Sequence, residues 1–189
     1  MSEQNKISEK KILRKELKKI RQNISEEERV FRSMALAETI IKKDFYKNSK
    51  SMALFISFGT EIGTSFLLNQ TPKDGKKIFL PRVEPNSQIL SWLEMKKDSK
   101  FKVSSYGIPE IIEQEPLSDE EISNIDLVIV PGLGFTENNY RIGYGGGFYD
   151  RFFEIAPKTY KVGIGFKEQL VEELPLEPWD APLDEIVLV

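Results

Sequence analysis

Residues 125–153 read IDLVIVPGLGFTENNYRIGYGGGFYDRFF and are the most informative part of the chain. They begin with an almost continuously apolar run, which is typical of a buried strand in a parallel sheet. A loop with four glycines in five residues follows, and the chain then continues into GGFYDRFFEIA, which is predicted to form a helix. Because open α/β sheets bind ligands beyond the carboxyl ends of their strands, we expect a binding site at this glycine-rich loop.

Other short apolar segments lie on both sides of this region. SMALFISF, KKIFLPRV, QILSWLEM, YKVGIGF and DEIVLV are bounded by Gly, Pro, Asn or Asp and are predicted to be strands. Further helices are predicted at IGTSFLLNQ and KEQLVEEL. The alternation predicts a three-layer α/β sandwich with a mostly parallel sheet. FKVSSYGIPEIIEQEPLSDEEISN has no clear periodicity, so we interpret it as a surface connection.

The N-terminal part predicts a helix pair. KISEKKILRKELKKIRQNI has the spacing of an amphipathic helix, with an apolar stripe formed by Leu13, Leu17, Ile20 and Ile24. Ser25 followed by Glu28 is a capping-box pattern, which starts a second helix through EEERVFRSMALAETIIKK. We predict that residues 1–189 form a single α/β domain, because this length suffices for one hydrophobic core.

Composition restricts the chemistry. The chain contains no His and no Cys, which excludes Ser-His-Asp and Cys-His nucleophilic machinery, zinc sites built on thiolate or imidazole, and thiol redox reactions. Any metal would be bound by oxygen ligands, which favours magnesium, and magnesium usually arrives with a phosphate-bearing substrate. Composition alone therefore points to nucleotide chemistry.

Charge and hydropathy indicate which partners to expect. Lys and Arg total 27 against 30 Asp and Glu, and a net charge of -3 gives no general attraction for nucleic acid. Neither a membrane span nor a secretory leader is expected, so the prediction is a cytoplasmic protein with no membrane partner. We expect it to act as a monomer.

The glycine run is interpreted as a phosphate cradle. Glycines can adopt positive φ and leave backbone amides unshielded, and the following helix would present its N-terminus to an anion. A flexible surface loop is the alternative, but Arg141, Ile142, Phe148 and Tyr149 would anchor the backbone. Phe148 replaces the third glycine of a dinucleotide fingerprint, and no P-loop motif is present. Asp150 either binds magnesium beside bound phosphates or is neutralised by Arg151, and the sequence leaves both open.

The segment PGLGFTENNYRIGYGGGFYDRFF resembles the signature of 5-formyltetrahydrofolate cyclo-ligases, also called methenyltetrahydrofolate synthetases, which reads like PGxxFDxxGxRLGRGGGYYDRFL. Four further segments also resemble the family and occur in the family's order along the chain: KKILRKEL, SFGTEIGT, FLPRV and WDAPLDEIV. The resemblance implies one α/β domain that converts 5-formyltetrahydrofolate and ATP to 5,10-methenyltetrahydrofolate, ADP and phosphate with magnesium. The folate, with or without a polyglutamate tail, is then the small-molecule substrate. It also implies that the formyl oxygen attacks the γ-phosphate before the ring closes.

The resemblance further implies roles for individual residues. Lys10 and Arg141 would be catalytic, and Asp150 and Asp180 would bind the metal. The residues implied to bind ATP are Lys10, Arg14, Arg141, Gly143, Tyr144, Gly145, Gly146, Gly147, Phe148 and Tyr149. The residues implied to bind the folate are Ile56, Glu61, Tyr144, Gly145, Gly146, Gly147 and Phe148.

The basic face of the first helix has two interpretations. Lys10, Arg14 and Arg21 lie beside the apolar stripe, so they can reach along the docked surface, whereas Lys15 and Lys19 point the opposite way. A solvated charged face is the alternative. Phe58 and Trp92 are placed either in the folate pocket or in the core. Arg82 is either a ligand contact or a surface residue.

Three positions depart from the family pattern. Tyr144 stands where the family usually has arginine, and we predict that Tyr144→Arg raises turnover if the missing charge limits the enzyme. Asn139 replaces a glycine, which asparagine can do because it tolerates left-handed geometry. Trp179 replaces a common histidine.

Two other functions remain alternatives to the cyclo-ligase reaction. They are a non-catalytic nucleotide- or folate-binding paralogue, and a sugar-phosphate isomerase or ligand-sensing domain of similar shape.

Overall fold

The computed structural model describes residues 3–84, 87, 89–105, 107–178 and 180–189. Gln88, Tyr106 and Trp179, which belong to segments discussed above, lie outside the described residues. Within the described ranges, no helix has both the length and the apolar character needed to cross a membrane.

Helices and strands alternate along most of the chain. The helices are α1 (Glu3–Gln22), α2 (Glu26–Lys42), α3 (Asp44–Asn48), α4 (Ser65–Gln70), α5 (Asp119–Ser123), α6 (Phe148–Ile155) and a 3-10 turn (Lys167–Gln169). The strands are β1 (Ser51–Ala53), β2 (Lys77–Val83), β3 (Leu90–Glu94), β4 (Lys100–Val103), β5 (Pro109–Ile112), β6 (Leu127–Pro131), β7 (Gly134–Phe135), β8 (Arg141–Ile142), β9 (Tyr160–Gly165) and β10 (Glu185–Leu188).

The main sheet confirms the predicted architecture. Its six strands have the order β10-β9-β6-β1-β2-β3, and every neighbouring pair is parallel except the edge pair β2 and β3. Both faces of β6 are buried, since Leu127 and Ile129 pack into one core cluster while Val128 and Val130 pack into another. This double burial explains the continuously apolar strand sequences. The fold is a three-layer α/β sandwich.

Strand order determines where a site can form. From β1 the chain moves outward to β2 and later returns on the opposite side of β1 as β6. Beyond the carboxyl ends of β1 and β6 the outgoing connections diverge, which leaves a crevice at this topological switch point. The segment after β1 carries Ile56 and Glu61, and the segment after β6 carries the glycine-rich loop.

Helix α1 docks on the loop that follows β6. Leu17 is 1% exposed and packs with Leu133, which lies just before β7, and with Ile142 in β8. Ile24 also belongs to the core, but Ile20, which was predicted to share the apolar stripe, is 39% exposed. The buried position that neighbours it is occupied by Arg21 instead. The prediction was wrong at Ile20 because the docked face of the helix turns toward a polar site.

Two other sequence predictions were wrong. The segment interpreted as a surface connection contains the β4–β5 hairpin and α5, which begins with a capping box at Ser118 and Glu121. Strand β4 is exposed throughout, so its sequence carries no burial alternation. The predicted helix KEQLVEEL is reduced to the 3-10 turn, because the Gln169 amide donates to the carbonyls of Gly132 and Leu133 at 2.8 and 3.1 Å. These tertiary hydrogen bonds override the local helical preference.

We expect Leu17→Ala to lower the free energy of unfolding by about 3 kcal/mol, because it leaves a cavity in a fully buried cluster. Ile20→Ala on the same helix is the matched control and should cost less than about 1 kcal/mol. Urea denaturation of both variants gives the comparison. Equal losses would contradict the docking of α1 through Leu17.

Candidate active site

The glycine-rich loop is held in a defined shape. Gly145 has φ 100° and Gly147 has φ 64°, and both values lie in the left-handed region that favours glycine. A Cβ on Gly146 would lie 2.6 Å from the Phe148 ring, so a larger residue here would displace that ring. Gly147 caps α6 without a side-chain hydrogen bond. The first amides of the helix have no partner within the helix, so this end can accept an anion.

A polar cleft of about 220 Å³ opens over this loop. Its walls combine one face of α1, the loop and the segment before β10. The charged side chains that line the cleft are Lys10, Arg14, Arg141, Asp150 and Asp180. The structure thus brings together the predicted phosphate and metal residues, although 170 positions separate Lys10 from Asp180.

Arg141 is the most deeply buried cation of the cleft. Its Nη2 donates to Asp150 Oδ1 at 2.8 Å, and its side chain retains 7% exposure. Burial lowers the pKa of Arg141, and the nearby Asp150 carboxylate opposes that shift. Among the described residues no acceptor contacts its buried Nε. A guanidinium with a spare buried donor is suited to binding phosphate oxygens.

The other two cations come from α1. Lys10 Nζ contacts Asp180 Oδ2 at 2.8 Å, and this same oxygen accepts the Glu177 amide at 2.8 Å. Arg14 Nε donates to the Gly143 carbonyl at 2.9 Å, which ties the helix to the loop. Burial lowers the pKa of Arg14, while Asp180 acts in the opposite direction. The prediction that the docked side of α1 faces a site is consistent with these contacts.

The acidic residues of the cleft suit a metal that is bound partly by substrate. Within the described ranges there is no cluster of three or more acidic, His or Cys side chains that could hold an ion alone. Asp150 and Asp180 line the same cleft. Magnesium is commonly bound by one or two carboxylates, with phosphate oxygens and water completing its octahedral shell. These two residues fit such a role.

A second, apolar pocket of about 370 Å³ adjoins the cleft. Residues after β1, on β2 and β3 and in the β4–β5 hairpin line it, including Ile56, Phe58, Val83, Leu90 and Ile108. The two cavities share a wall formed by Pro131, Tyr144, Phe148 and Tyr149. A flat aromatic ligand in the apolar pocket would therefore lie beside a phosphate in the polar cleft.

Glu61 is a buried carboxylate in this apolar pocket and is 7% exposed. Its Oε2 accepts the Phe58 amide at 3.1 Å, and its Oε1 accepts the Tyr144 hydroxyl at 2.5 Å. Burial raises the pKa of Glu61, while the Tyr144 and Phe58 hydrogen bonds and the charge of Arg21 act to lower it. Burial also raises the pKa of Tyr144, so its hydroxyl stays protonated as a donor.

The remaining candidates divide between structural positions and the apolar pocket. Trp92 is buried in the core, where its ring lies 4.9 Å from that of Phe152. Arg82 pairs with Glu84 at 3.0 Å, and Phe58 lines the apolar pocket. Asn139 has φ 64°, which confirms the left-handed turn expected there.

Asp150 forms its ion pair with Arg141, not with Arg151 as one interpretation of the sequence proposed. Arg151 instead donates to the Gly146 carbonyl. Sequence reasoning also missed the contact between Arg21 and Tyr144, at 2.8 Å. The helical wheel placed Arg21 on the docked side, but it gave no partner for it.

Comparison with known proteins gives a consistent result. A family model described as the 5-formyltetrahydrofolate cyclo-ligase family matches residues 6–189. The 5-formyltetrahydrofolate cyclo-ligase of Mus musculus is 30% identical over 190 residues, covering 95% of this chain and 93% of the mouse protein. The protein of that name from Escherichia coli is 36% identical over 144 residues, covering 72% of this chain and 76% of its own.

The solved structures agree with the sequence relatives. The NMR structure of Aquifex aeolicus 5,10-methenyltetrahydrofolate synthetase superposes with a TM-score of 0.81 at 32% identity. The match covers 95% of this chain and 89% of that one. Since family model, relatives and fold all coincide over nearly the full length, the chain belongs to the 5-formyltetrahydrofolate cyclo-ligase family.

Proposed function

We propose that this chain converts 5-formyltetrahydrofolate to 5,10-methenyltetrahydrofolate with ATP and magnesium, releasing ADP and phosphate. The observation that carries the proposal is the pair of adjoining pockets, one cationic and one apolar with a buried carboxylate. Their shared wall would bring a phosphoryl group next to a folate. Family membership supports the same reaction.

ATP is proposed to bind in the polar cleft. The amides at the start of α6 and the loop residues Gly143 to Gly147 surround the phosphates, and Arg141, Arg14 and Lys10 supply positive charge. Phe148 and Tyr149 form the border with the folate pocket. Lys10 already contacts Asp180, so ATP would exchange this ion pair for contacts to phosphate.

The folate is proposed to bind in the apolar pocket. Glu61 would accept hydrogen bonds from adjacent N–H groups of the pterin, since a carboxylate offers two oxygens in a matching arrangement. Ile56 and Phe148 would contact its rings, and Tyr144 and the glycines from Gly145 to Gly147, which line the adjoining polar cleft, would border its reacting end.

The proposed reaction needs positioned charge and no protein nucleophile. The formyl oxygen attacks the γ-phosphorus, ADP leaves, and an imidate-like phosphate ester of the folate forms. The neighbouring folate amine then attacks the formyl carbon, loses its proton, and phosphate departs with the former formyl oxygen. Arg141 and Lys10 stabilise the charge that develops on the transferring phosphoryl group. Asp150 and Asp180 would hold magnesium, which neutralises phosphate charge when bound.

The second candidate, a non-catalytic nucleotide- or folate-binding paralogue, rests on Tyr144 in place of the family's arginine. Mixing purified protein with 5-formyltetrahydrofolate, ATP and magnesium separates the two, because the product has its own absorbance. Turnover that requires all three additions is the expected result. Binding of both ligands without any absorbance rise would establish the paralogue instead.

We expect Asp150→Asn to raise the magnesium concentration for half-maximal turnover about tenfold, because one of two anionic ligands is lost. Glu154→Gln removes an exposed carboxylate from the same helix and is the matched control. Magnesium titration of the initial rate measures both. If the two variants titrate alike, Asp150 does not bind the metal.

We further propose that residues 1–189 act as one domain and as a monomer. The single six-stranded sheet, which draws its strands from residues 51–188, supports the first statement. Sedimentation velocity of the purified chain tests the second.

A further inference from the structure

Arg21 is a buried cation on α1 that the proposed mechanism does not use. It is 5% exposed, and its side chain donates hydrogen bonds to Thr60 and Tyr144. Its Nε donates to Thr60 Oγ1 at 3.0 Å, and its Nη2 donates to the Tyr144 hydroxyl at 2.8 Å. Burying a guanidinium is costly unless its donors are engaged, and these hydrogen bonds give two of its nitrogens an acceptor.

The hydrogen bonds continue from Tyr144 to the pocket. Because a guanidinium can only donate, the Tyr144 oxygen accepts from Arg21 and its hydrogen is free to point at Glu61. The Tyr144 hydroxyl donates to Glu61 Oε1 at 2.5 Å, and the Phe58 amide holds the other oxygen at 3.1 Å. The positive charge of Arg21 is thus connected to the Glu61 carboxylate through one hydroxyl.

We propose that Arg21 is a positioning residue for substrate binding, which acts through Tyr144 to keep Glu61 ionised and fixed in orientation for the N–H donors of the pterin. The inference rests on the proposed role of Glu61 in the function above. It adds a residue from α1 to the folate pocket and gives Tyr144 a defined task.

The surroundings of Glu61 explain why such help is needed. The pocket walls are largely apolar, and burial favours the neutral carboxyl form. Facing Glu61 are Tyr144 and Tyr149 from the loop and helix after it, and Arg21 from α1. Lys18 Nζ lies 5.3 Å from the centre of the Tyr144 ring, and Glu110 of the hairpin lines the same pocket. Of the two cations, Arg21 alone is hydrogen-bonded to the hydroxyl that contacts Glu61.

The contact also accounts for the departure at position 144. Where the family pattern has an arginine in the loop, this chain has a tyrosine, and the hydroxyl of that tyrosine accepts a hydrogen bond from the Arg21 guanidinium on α1. Tyr144→Arg should then help most when Arg21 is absent, because otherwise two guanidinium groups compete for one carboxylate.

The first test needs no substrate. Carbon-13 NMR of glutamate-labelled protein gives the titration of Glu61, whose signal is identified by its loss in Glu61→Gln. Arg21→Gln removes a group that lowers the pKa of Glu61, so the carboxylate should take up its proton at a higher pH than in the native protein. Lys19→Gln, which removes an exposed charge from the same helix, should leave the titration unchanged.

The second test is kinetic. We expect Arg21→Gln to raise KM for 5-formyltetrahydrofolate about tenfold, with kcat changed less than about threefold and KM for ATP unchanged. The acidic limb of kcat/KM should move to higher pH in parallel with the NMR titration. Arg21→Lys should restore the charge effect but not the full affinity, since one ammonium cannot serve Thr60 and Tyr144 together.

A double-mutant cycle distinguishes action through Tyr144 from a general effect. The double variant Tyr144→Phe with Arg21→Gln should raise KM for 5-formyltetrahydrofolate no more than the more damaging single variant does. The reason is that both changes break the same connection between Arg21 and Glu61. Additive losses, or an unshifted Glu61 titration in folded Arg21→Gln, overturn the inference while leaving the proposed function intact. Native protein without turnover but with the expected NMR shift would reject the function and retain the connection. Thermal unfolding of each variant identifies loss of fold.

Discussion

Replacing Arg141 with glutamine is expected to lower kcat for 5-formyltetrahydrofolate and ATP about a thousandfold. Arg141 is a buried guanidinium that lines the polar cleft, and among the described residues its Nε has no acceptor. A preorganised cation of this kind stabilises the transferring phosphoryl group more than the bound ATP, so kcat should fall more than KM for ATP rises.

The matched variants separate charge from geometry. Arg141→Lys keeps the positive charge but loses the planar fork, so it should recover only part of the rate. Arg32→Gln removes a surface arginine that pairs with Glu168, and it should stay within about twofold of the native rate. Stopped-flow absorbance under saturating substrates gives kcat. A loss below tenfold in folded Arg141→Gln would remove Arg141 from the catalytic group.

Glu61→Gln is expected to raise KM for 5-formyltetrahydrofolate about a hundredfold while KM for ATP stays within about twofold. The reason is that an amide offers one acceptor in place of two, and its NH₂ group would face the donors of the pterin. In the flipped orientation of the side chain, the NH₂ group would instead meet the backbone amide of Phe58, which donates to Glu61 in the native protein. An effect on both substrates alike would contradict the separation of the two pockets.

The pH dependence supplies a second measurement for Glu61. Burial raises the pKa of this carboxyl in the free protein, so folate affinity should begin to fall on acidification at a higher pH than for an exposed glutamate. In Glu61→Gln this limb should disappear, because the amide does not titrate. Glu120→Gln, a change at an exposed position on α5, is the control and should keep the native profile.

Much of the fold could be predicted from the sequence because the responsible interactions are local. A continuously apolar run such as residues 127–130 identifies a strand covered on both faces, and the glycine run identifies a backbone that needs left-handed φ at Gly145 and Gly147. Ser25 likewise caps α2 through the Glu28 amide at 3.2 Å. Each of these signals acts over a few residues, so neighbouring letters suffice to detect it.

The failures have two physical causes. Residues 167–174 have a helical pattern, yet the side-chain amide of Gln169 donates to the carbonyls of Gly132 and Leu133 after β6. The backbone amide of Val171 donates to the Phe135 carbonyl at 2.8 Å. The hairpin β4–β5 carries no burial alternation, because its first strand is exposed. At α1 the stripe was correct at Leu17 but failed at Ile20, since Arg21 takes the buried place. At residues 167–174 and at α1, partners distant in the chain overruled the local preference, whereas the hairpin carried no local signal to detect.

The sequence by itself determined the architecture, the glycine-rich loop and the residue types available for catalysis, since strand patterning, turn requirements and the lack of His and Cys are written in single letters or short runs. Only the tertiary structure decided which charges meet. Lys10 contacts Asp180 across 170 positions, and Arg21 connects to Glu61 through Tyr144 across separations of 123 and 83 positions. Such pairings depend on how the strands order at the switch point and how α1 docks, and no local rule encodes distances between residues so far apart in the chain.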